Sequence, residues 1–239
     1  NDVLIKNHQD KVSFIWSIAA LLRGDYKQSE YQDVILPLTV LKRLDSALEL
    51  SKDKVLEKYK EVKGKIDNYD PLLRFASGYP FYNTSKFTFK KLTQDPENIA
   101  ANLRNYINGF SKNMYDVIEK FEFTKEINKL DKANLLFQII EEFNKIDLHP
   151  DKVSNHEMGT IFEELIRRFS EQSGETAGEH FTPREIIRLM VRLILAGNGE
   201  LGKKNTIKTI YDPACGTGGM LTIAKDEILQ NINPSAKVY

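Results

Sequence analysis

Through most of the first 150 residues, apolar side chains recur every three or four positions, a spacing that predicts helices. In KVSFIWSIAALLRG, Phe14, Ile15, Ile18, Leu21 and Leu22 fall on one face ahead of Gly24. SEYQDVILPLTVLKRLDSALEL opens with Ser29 and Gln32 at capping-box spacing, and Pro37 inside its apolar pattern predicts a kink or two abutting helices. Residues 67–94 are rich in turn formers and aromatics and read as irregular. Asp95-Pro96 opens another helix, and two more patterns follow over 111–121 and 124–146. LHPDKVS, Leu148 to Ser154, breaks the periodicity and sets a domain boundary at residue 150.

Beyond the break, Ser154 and Glu157 form a capping box ahead of an apolar stripe: Met158, Ile161, Phe162, Leu165, Ile166 and Phe169. The polar loop SGETAGEH separates it from TPREIIRLMVRLIL, where Thr182 caps, Pro183 takes the first helical position and Glu185 closes the box. TIKTIY, residues 206–211, is β-branched and reads as a strand. A glycine-rich turn follows, then a helix from about Gly219 to Gln230, then Lys237 to Tyr239 as the first residues of another strand. The expected fold is mainly α over 1–150, with a β–turn–α–β unit, the element of a parallel sheet, beginning in 151–239.

Composition narrows the class. The 239 residues are 41% hydrophobic and 28% charged, which suits a soluble globular chain with a sizeable core. No apolar run approaches the roughly 18 residues of a membrane span, and there is no signal peptide, so no membrane partner is expected. Thirty-four basic residues balance 34 acidic ones, so bulk charge does not announce a nucleic acid, although local patches remain open. The single cysteine, Cys215, excludes an internal disulfide and a cysteine-rich zinc site. No metal ligand set is expected, and the chemistry fits the cytoplasm.

The turn in TIYDPACGTGGMLTIAKDEI carries the chemistry. A Walker-type phosphate loop ends Gly-Lys-Ser/Thr, but Gly219 is followed by Met220. A dinucleotide fingerprint counted from Gly216 and Gly218 would need glycine at Leu221. The carboxylate of Asp212, just before the turn, repels phosphate and suits an ammonium or a hydroxyl. Gly216, Gly218 and Gly219 let backbone pass close to a ligand, and the next helix offers its N–H groups. S-adenosylmethionine, with an amino-acid end, a ribose and a sulfonium, fits these features. The plain alternative is a strand-to-helix turn without a ligand. Against it stand Asp212-Pro213 directly after the strand and glycine at three of the next six positions. Other residues have plain readings too: Cys215 as a small packing residue, His180 as a surface histidine, and 52–65 as a solvated lysine-rich helix face.

YDPACGTGG resembles the cofactor motif of amino-methylating DNA methyltransferases, and HFTPREIIRLMVRLI resembles their second cofactor motif, in an order that points to adenine-N6 enzymes. SFIWSIAALLRG and YQDVILPLTVLKRLD resemble the modification (M) subunit of type I restriction–modification systems. The resemblance spans essentially the whole chain. It implies an N-terminal helical domain (1–150), contacting DNA or another subunit, then the beginning of a Rossmann-like S-adenosylmethionine-dependent methyltransferase domain (151–239). It implies methyl transfer from S-adenosylmethionine to adenine N6 in a bacterial cytoplasmic complex. The implied partners are DNA, a specificity subunit, a second modification subunit and a restriction (translocase/nuclease) subunit. Glu179, His180, Phe181, Thr182, Pro183 and Arg184 would wrap the methionine end of the cofactor. Asp212 would hold its amino group, and Pro213, Gly216, Thr217, Gly218 and Gly219 would line the turn.

Adenine-N6 transfer in such enzymes uses an Asn/Asp-Pro-Pro-Tyr/Phe loop to hold the flipped base. The sequence has no such run; Asn233-Pro234-Ser235 reads as a turn. No catalytic residue is therefore assigned, and the chain is expected to be an N-terminal segment of a longer subunit, inactive alone. Two other classes stay open: a helical docking module without catalysis, and a methyltransferase acting on another substrate.

Overall fold

A computed structural model describes residues 8–173, 182, 184–196, 199–203, 206–215 and 218–239. The chain divides into two compact units, Asn1–Thr176 and Ala177–Tyr239.

The first unit is helical: α1 (His8–Ala19), α2 (Tyr31–Leu48), α3 (Lys52–Val62), α4 (Asp70–Ser77), α5 (Phe89–Leu92), α6 (Ile99–Asn108), α7 (Lys112–Glu119), α8 (Phe123–Lys132), α9 (Leu136–Asn144) and α10 (Asn155–Ser173). Its axis is α2, with twelve of eighteen residues buried. The core joins Ile15 and Ile18 of α1, Ile35 and Leu38 of α2, Ile139 and Phe143 of α9, and Ile161 and Leu165 of α10. Trp16 stacks on Phe169 with ring centroids 5.0 Å apart, pinning α1 to α10. A second, smaller core of Val55, Leu73, Ala76 and Tyr82 lies between α3 and α4.

Several local expectations change. Pro37 neither splits nor ends α2, because burial along the helix holds it together through the missing N–H. The cap before α2 is not the Ser29/Gln32 box: Glu30 Oε2 accepts from Lys27 N at 2.8 Å, over a 3-10 turn at Gln28–Glu30. The stretch 67–94 holds two short helices, α4 with proline in its first turn and α5 capped by Thr88. The pattern over 124–146 is broken into α8 and α9 at Asn134, whose φ of 57° is left-handed, a conformation asparagine tolerates. Ser154 and Glu157 do form their box: Ser154 N donates to Glu157 Oε2 at 2.8 Å, and Glu157 N donates to Ser154 Oγ at 3.2 Å.

Compaction places the break at 176/177 rather than at residue 150. Beside the packing of α10 into the first unit's core, Arg43 of α2 ties in the connector. Its guanidinium donates to the carbonyls of Leu148 (2.5 Å) and Val153 (2.7 Å) and to Asn155 Oδ1 (2.9 Å). Leu148 and Val153 are buried, so the aperiodic LHPDKVS segment is stapled to the helical unit, and α10 packs with it.

Charge is also buried at the end of α2. Asp45 accepts from Phe89 N at 3.3 Å. Lys52, 7% exposed, donates to Asn83 Oδ1 at 2.9 Å and lies 5.6 Å from the Tyr106 ring centroid. Burial lowers the Lys52 pKa to about 8 despite the opposing pull of Asp45, and burial lowers that of Lys42 as well.

The second unit contains α11 (Arg184–Leu195), β1 (Ile207–Lys208), α12 (Gly219–Glu227), which runs on as a π-helical turn over Ile228–Ile232, and β2 (Lys237–Val238). The strands pair in parallel, Ile207 opposite Lys237 and Lys208 opposite Val238. The ladder extends by Ile210 N donating to Tyr239 O at 2.8 Å. This is the parallel β–α–β start the sequence predicts, with α12 as its crossover.

Two outcomes follow from this packing. Arg43→Met leaves two buried carbonyls without their donor and should destabilise the chain by about 2–3 kcal/mol in denaturant unfolding; a change within about 0.5 kcal/mol would show that the staple is dispensable. Lys52 binds its proton more weakly folded than unfolded, so from about pH 8 toward the ordinary lysine range the unfolded chain holds more protons and stability rises with pH. Melting at several pH values should show a gain of about 1 kcal/mol between pH 8 and 9.5, and Lys52→Met should flatten it. A wild-type curve already flat over that window would refute the assignment.

Candidate cofactor site

The glycine turn leaves β1 and enters α12. Tyr211 is 84% exposed and Asp212 partly so. Asp212 Oδ1 accepts from Ala214 N at 3.0 Å, an Asx turn that bends the chain straight after the strand. Gly218 N donates to Cys215 O at 2.7 Å, tightening the bend. Gly218 then caps α12 with φ 79° and ψ 17°, where a Cβ is strained. Its carbonyl accepts from Thr222 N at 3.0 Å and from Thr222 Oγ1 at 2.9 Å, closing the first helical turn. The N–H groups of that turn point out of the helix start, the arrangement that receives polar ligand atoms.

The second motif is brought to the same place. Ile187 and Val191 of α11 pack on Ile223 and Ala224 of α12. A Cβ on Gly219 would stand 2.9 Å from Ile187 Cδ1, so the first turns of the two helices touch. Toward their other ends, Arg192 Nε donates to Glu227 Oε1 at 2.8 Å. The start of the HFTPRE helix therefore stands beside the start of the glycine-turn helix.

Of the residues expected in the site, Thr182 is exposed, Arg184 opens α11, Asp212 and Pro213 lie at the bend, and Gly218 and Gly219 open α12. Glu179, His180, Phe181, Pro183, Gly216 and Thr217 lie outside the described residues. Cys215 is exposed rather than packed, because the Asx turn carries it outward. Asn233-Pro234-Ser235 is a turn, and Asn233 is occupied by it: Nδ2 donates to the carbonyls of Leu201 and Lys203, both at 2.9 Å, while Oδ1 accepts from Ser235 N and Oγ. Sequence reading missed this anchor, the Arg192–Glu227 pair and the close approach at Gly219. Only the small side chain of Gly219 hinted at the last. Among the described residues, no group of three or more His, Cys, Asp or Glu could hold a metal ion, and no helix is long and apolar enough to cross a membrane.

A helical unit followed by a strand–glycine turn–helix–strand start defines a class: a helical domain followed by the start of a parallel-sheet domain. Comparison with known proteins makes it specific. The HsdM N-terminal domain family matches residues 11–143, more than half the chain, and the N-6 DNA Methylase family matches 153–239. The chain belongs to the HsdM N-terminal domain family, as the resemblance to type I modification subunits implied. It is similar to the type I restriction enzyme EcoEI methylase subunit of Escherichia coli, 34% identical over 135 residues, covering 56% of this chain and 25% of that one. The MjaIX methylase subunit of Methanocaldococcus jannaschii is 24% identical over 229 residues, covering 90% of this chain and 39% of that one. The crystal structure of a type I restriction-modification system methyltransferase subunit from Streptococcus thermophilus shares the fold, with a TM-score of 0.62 at 19% identity, over 98% of this chain and 52% of that one. The chain thus spans about half of that structure and about a quarter to two fifths of these curated relatives.

The two adjoining glycines make different demands. Gly218→Ala places a Cβ on a left-handed residue and should cost the second unit about 1–2 kcal/mol. Gly219→Ala meets only the flexible end of Ile187 and should stay within about 0.5 kcal/mol. Hydrogen exchange of the α12 amides reads both, and equal losses would reject the turn geometry described above.

Proposed function

We propose that the chain is part of a modification subunit that transfers a methyl group from S-adenosylmethionine to adenine N6 in DNA, within a type I restriction–modification complex. The observation that carries this reading is the meeting of α11 and α12 at Ile187 and Gly219. It stands the helices that follow the two motifs side by side, with Asp212 at the bend before α12, and this supports the reading. In this reading S-adenosylmethionine supplies the methyl group. Asp212 and the N–H groups opening α12 hold its amino-acid and ribose ends, and Thr182 and Arg184, opening α11, form the opposite wall. Glu179, His180, Phe181, Pro183, Gly216 and Thr217 are assigned to the same site by the motifs they belong to. The chemistry fits the residues: a single carboxylate for a cationic amine, backbone donors for the carboxylate, and no lysine in the glycine turn for a phosphate.

The specificity subunit, a second modification subunit and a restriction subunit are the partners this reading assigns, with the helical unit as their contact. Base handling is not assigned within residues 1–239, since the nearest sequence match, Asn233-Pro234, has its amide spent on the Leu201 and Lys203 carbonyls.

The test is transfer of radiolabelled methyl from S-adenosylmethionine to duplex DNA, with digestion to nucleosides to identify the product. The assembled complex should yield N6-methyladenine, Asp212→Ala within it should lose about 100-fold in rate or more, and residues 1–239 alone should yield none. Methylated cytosine, or label on protein instead of DNA, would reject the substrate; label on DNA from residues 1–239 alone would reject the division of labour.

A further inference from the structure

α11 and α12 run side by side in the same direction. Their starts meet at Ile187 and Gly219, and toward their ends Arg192 Nε donates to Glu227 Oε1 at 2.8 Å. Arg192 stands eight residues after Arg184, and Glu227 eight residues after Gly219. Each member of the pair is therefore about 12 Å along its helix from the first residue.

Parallel neighbours align their dipoles. The positive ends meet at the candidate cofactor site, which suits a ligand carboxylate, and the negative ends meet at the far side, which costs stability. A basic residue in the last turn of α11 offsets that cost, and Arg192 is one. Glu227 has no such local reason. It is the last residue of α12, where the dipole disfavours a carboxylate, and its side chain is only 12% exposed. Among the described residues its ion-pair partner is Arg192. A carboxylate kept where both helix end and burial disfavour it is held by its partner on the neighbouring helix.

The apolar seam between the helices is narrow. On α11, Ile187 and Val191 are buried, whereas Ile186, Leu189, Met190, Leu193 and Ile194 are exposed. Contacts along one line press two helices together but do not fix how one rolls on the other, because hydrophobic attraction has no direction. Arg192 is turned about 100° from Val191 around the helix, so its directional bond lies off that line and sets the roll.

Resting on the reading of this unit as an S-adenosylmethionine site, we infer that Arg192 and Glu227 are positioning residues for the cofactor. Their pair aligns the starts of α11 and α12 without touching the ligand. Without it, fewer molecules hold both starts in place, and cofactor affinity falls by that fraction. Arg192 is 59% exposed, so the pair adds little to global stability, and its loss shows in binding more than in melting.

The experiment measures S-adenosylmethionine binding to the assembled complex by calorimetry, for wild type, Arg192→Met, Arg192→Lys and the exchanged pair Arg192→Glu with Glu227→Arg. Hydrogen exchange of the first α12 amides is followed without cofactor, and KM and kcat are taken from methyl transfer. Arg192→Met should weaken binding about five- to tenfold, raise KM by the same factor, leave kcat within about twofold and speed exchange at the start of α12. Arg192→Lys and the exchanged pair should recover most of the affinity. Wild-type affinity in Arg192→Met, or no recovery in the exchanged pair, would overturn the positioning role and leave the cofactor reading in place. A wild-type complex that binds no S-adenosylmethionine would overturn the cofactor reading, and the positioning role with it.

Discussion

The helical unit depends on Arg43. The chain between α9 and α10 is aperiodic, and two of its carbonyls, at Leu148 and Val153, belong to residues with essentially no exposed surface. Buried carbonyls without donors cost more than a surface ion pair returns. A planar guanidinium that reaches both of them, and Asn155 besides, removes that cost from a single side chain on α2. α10 then starts in a fixed place, and Trp16 and Phe169 can meet. Family matching divides the chain between 143 and 153, whereas packing divides it at 176. Arg43 explains how both hold: the sequence family changes before the connector, but the connector and the helix after it are tied to the first unit.

The second unit rests on a different economy. Its candidate site is made largely of backbone: an Asx turn at Asp212, a left-handed Gly218 and the open N–H groups of α12. Side chains set positions more than they supply donors. Ile187 and Val191 hold α11 on α12, Arg192 grips Glu227, and Asn233 fixes the return toward β2 by binding two carbonyls of the 199–203 turn. A substitution at those supports moves the helix starts without touching a ligand.

This contrast explains what the sequence disclosed. The glycine turn, the parallel β–α–β order and the Ser154/Glu157 box are legible because glycine, proline, aspartate and cap residues dictate backbone locally. The HFTPRE motif is legible for the same reason, although much of it lies outside the described residues. The long-range fixtures were not legible. Arg43 is one basic residue among many until it is seen reaching residues more than a hundred positions away. Pro37 does not divide α2 into two helices because propensity yields to burial along it, and 67–94 misled because α4 and α5 are too short to show a period. The boundary at residue 150 followed a true break in periodicity, but a break in pattern is not a break in packing.

Charge shows the same limit of composition. A net charge of zero suggests an evenly neutral surface, yet neutralisation here is local and uneven. Arg167 and Arg168 on α10 share Glu164 and Glu171, Lys145 has Glu142, and Lys125 has Glu122, all within one helical turn. The Glu164 carboxyl is held down to about 2, first by its bond from Arg167. Such pairs spend acidic residues on near neighbours in sequence. The segment 84–93 has no acidic residue of its own; Asp95, just beyond it, lies near Lys86, and Asp45 is half-buried against Phe89. A chain that is neutral overall can therefore set lysine-rich segments beside segments of paired charge, and it does so where α5 is held against the end of α2 by the half-buried carboxylate of Asp45.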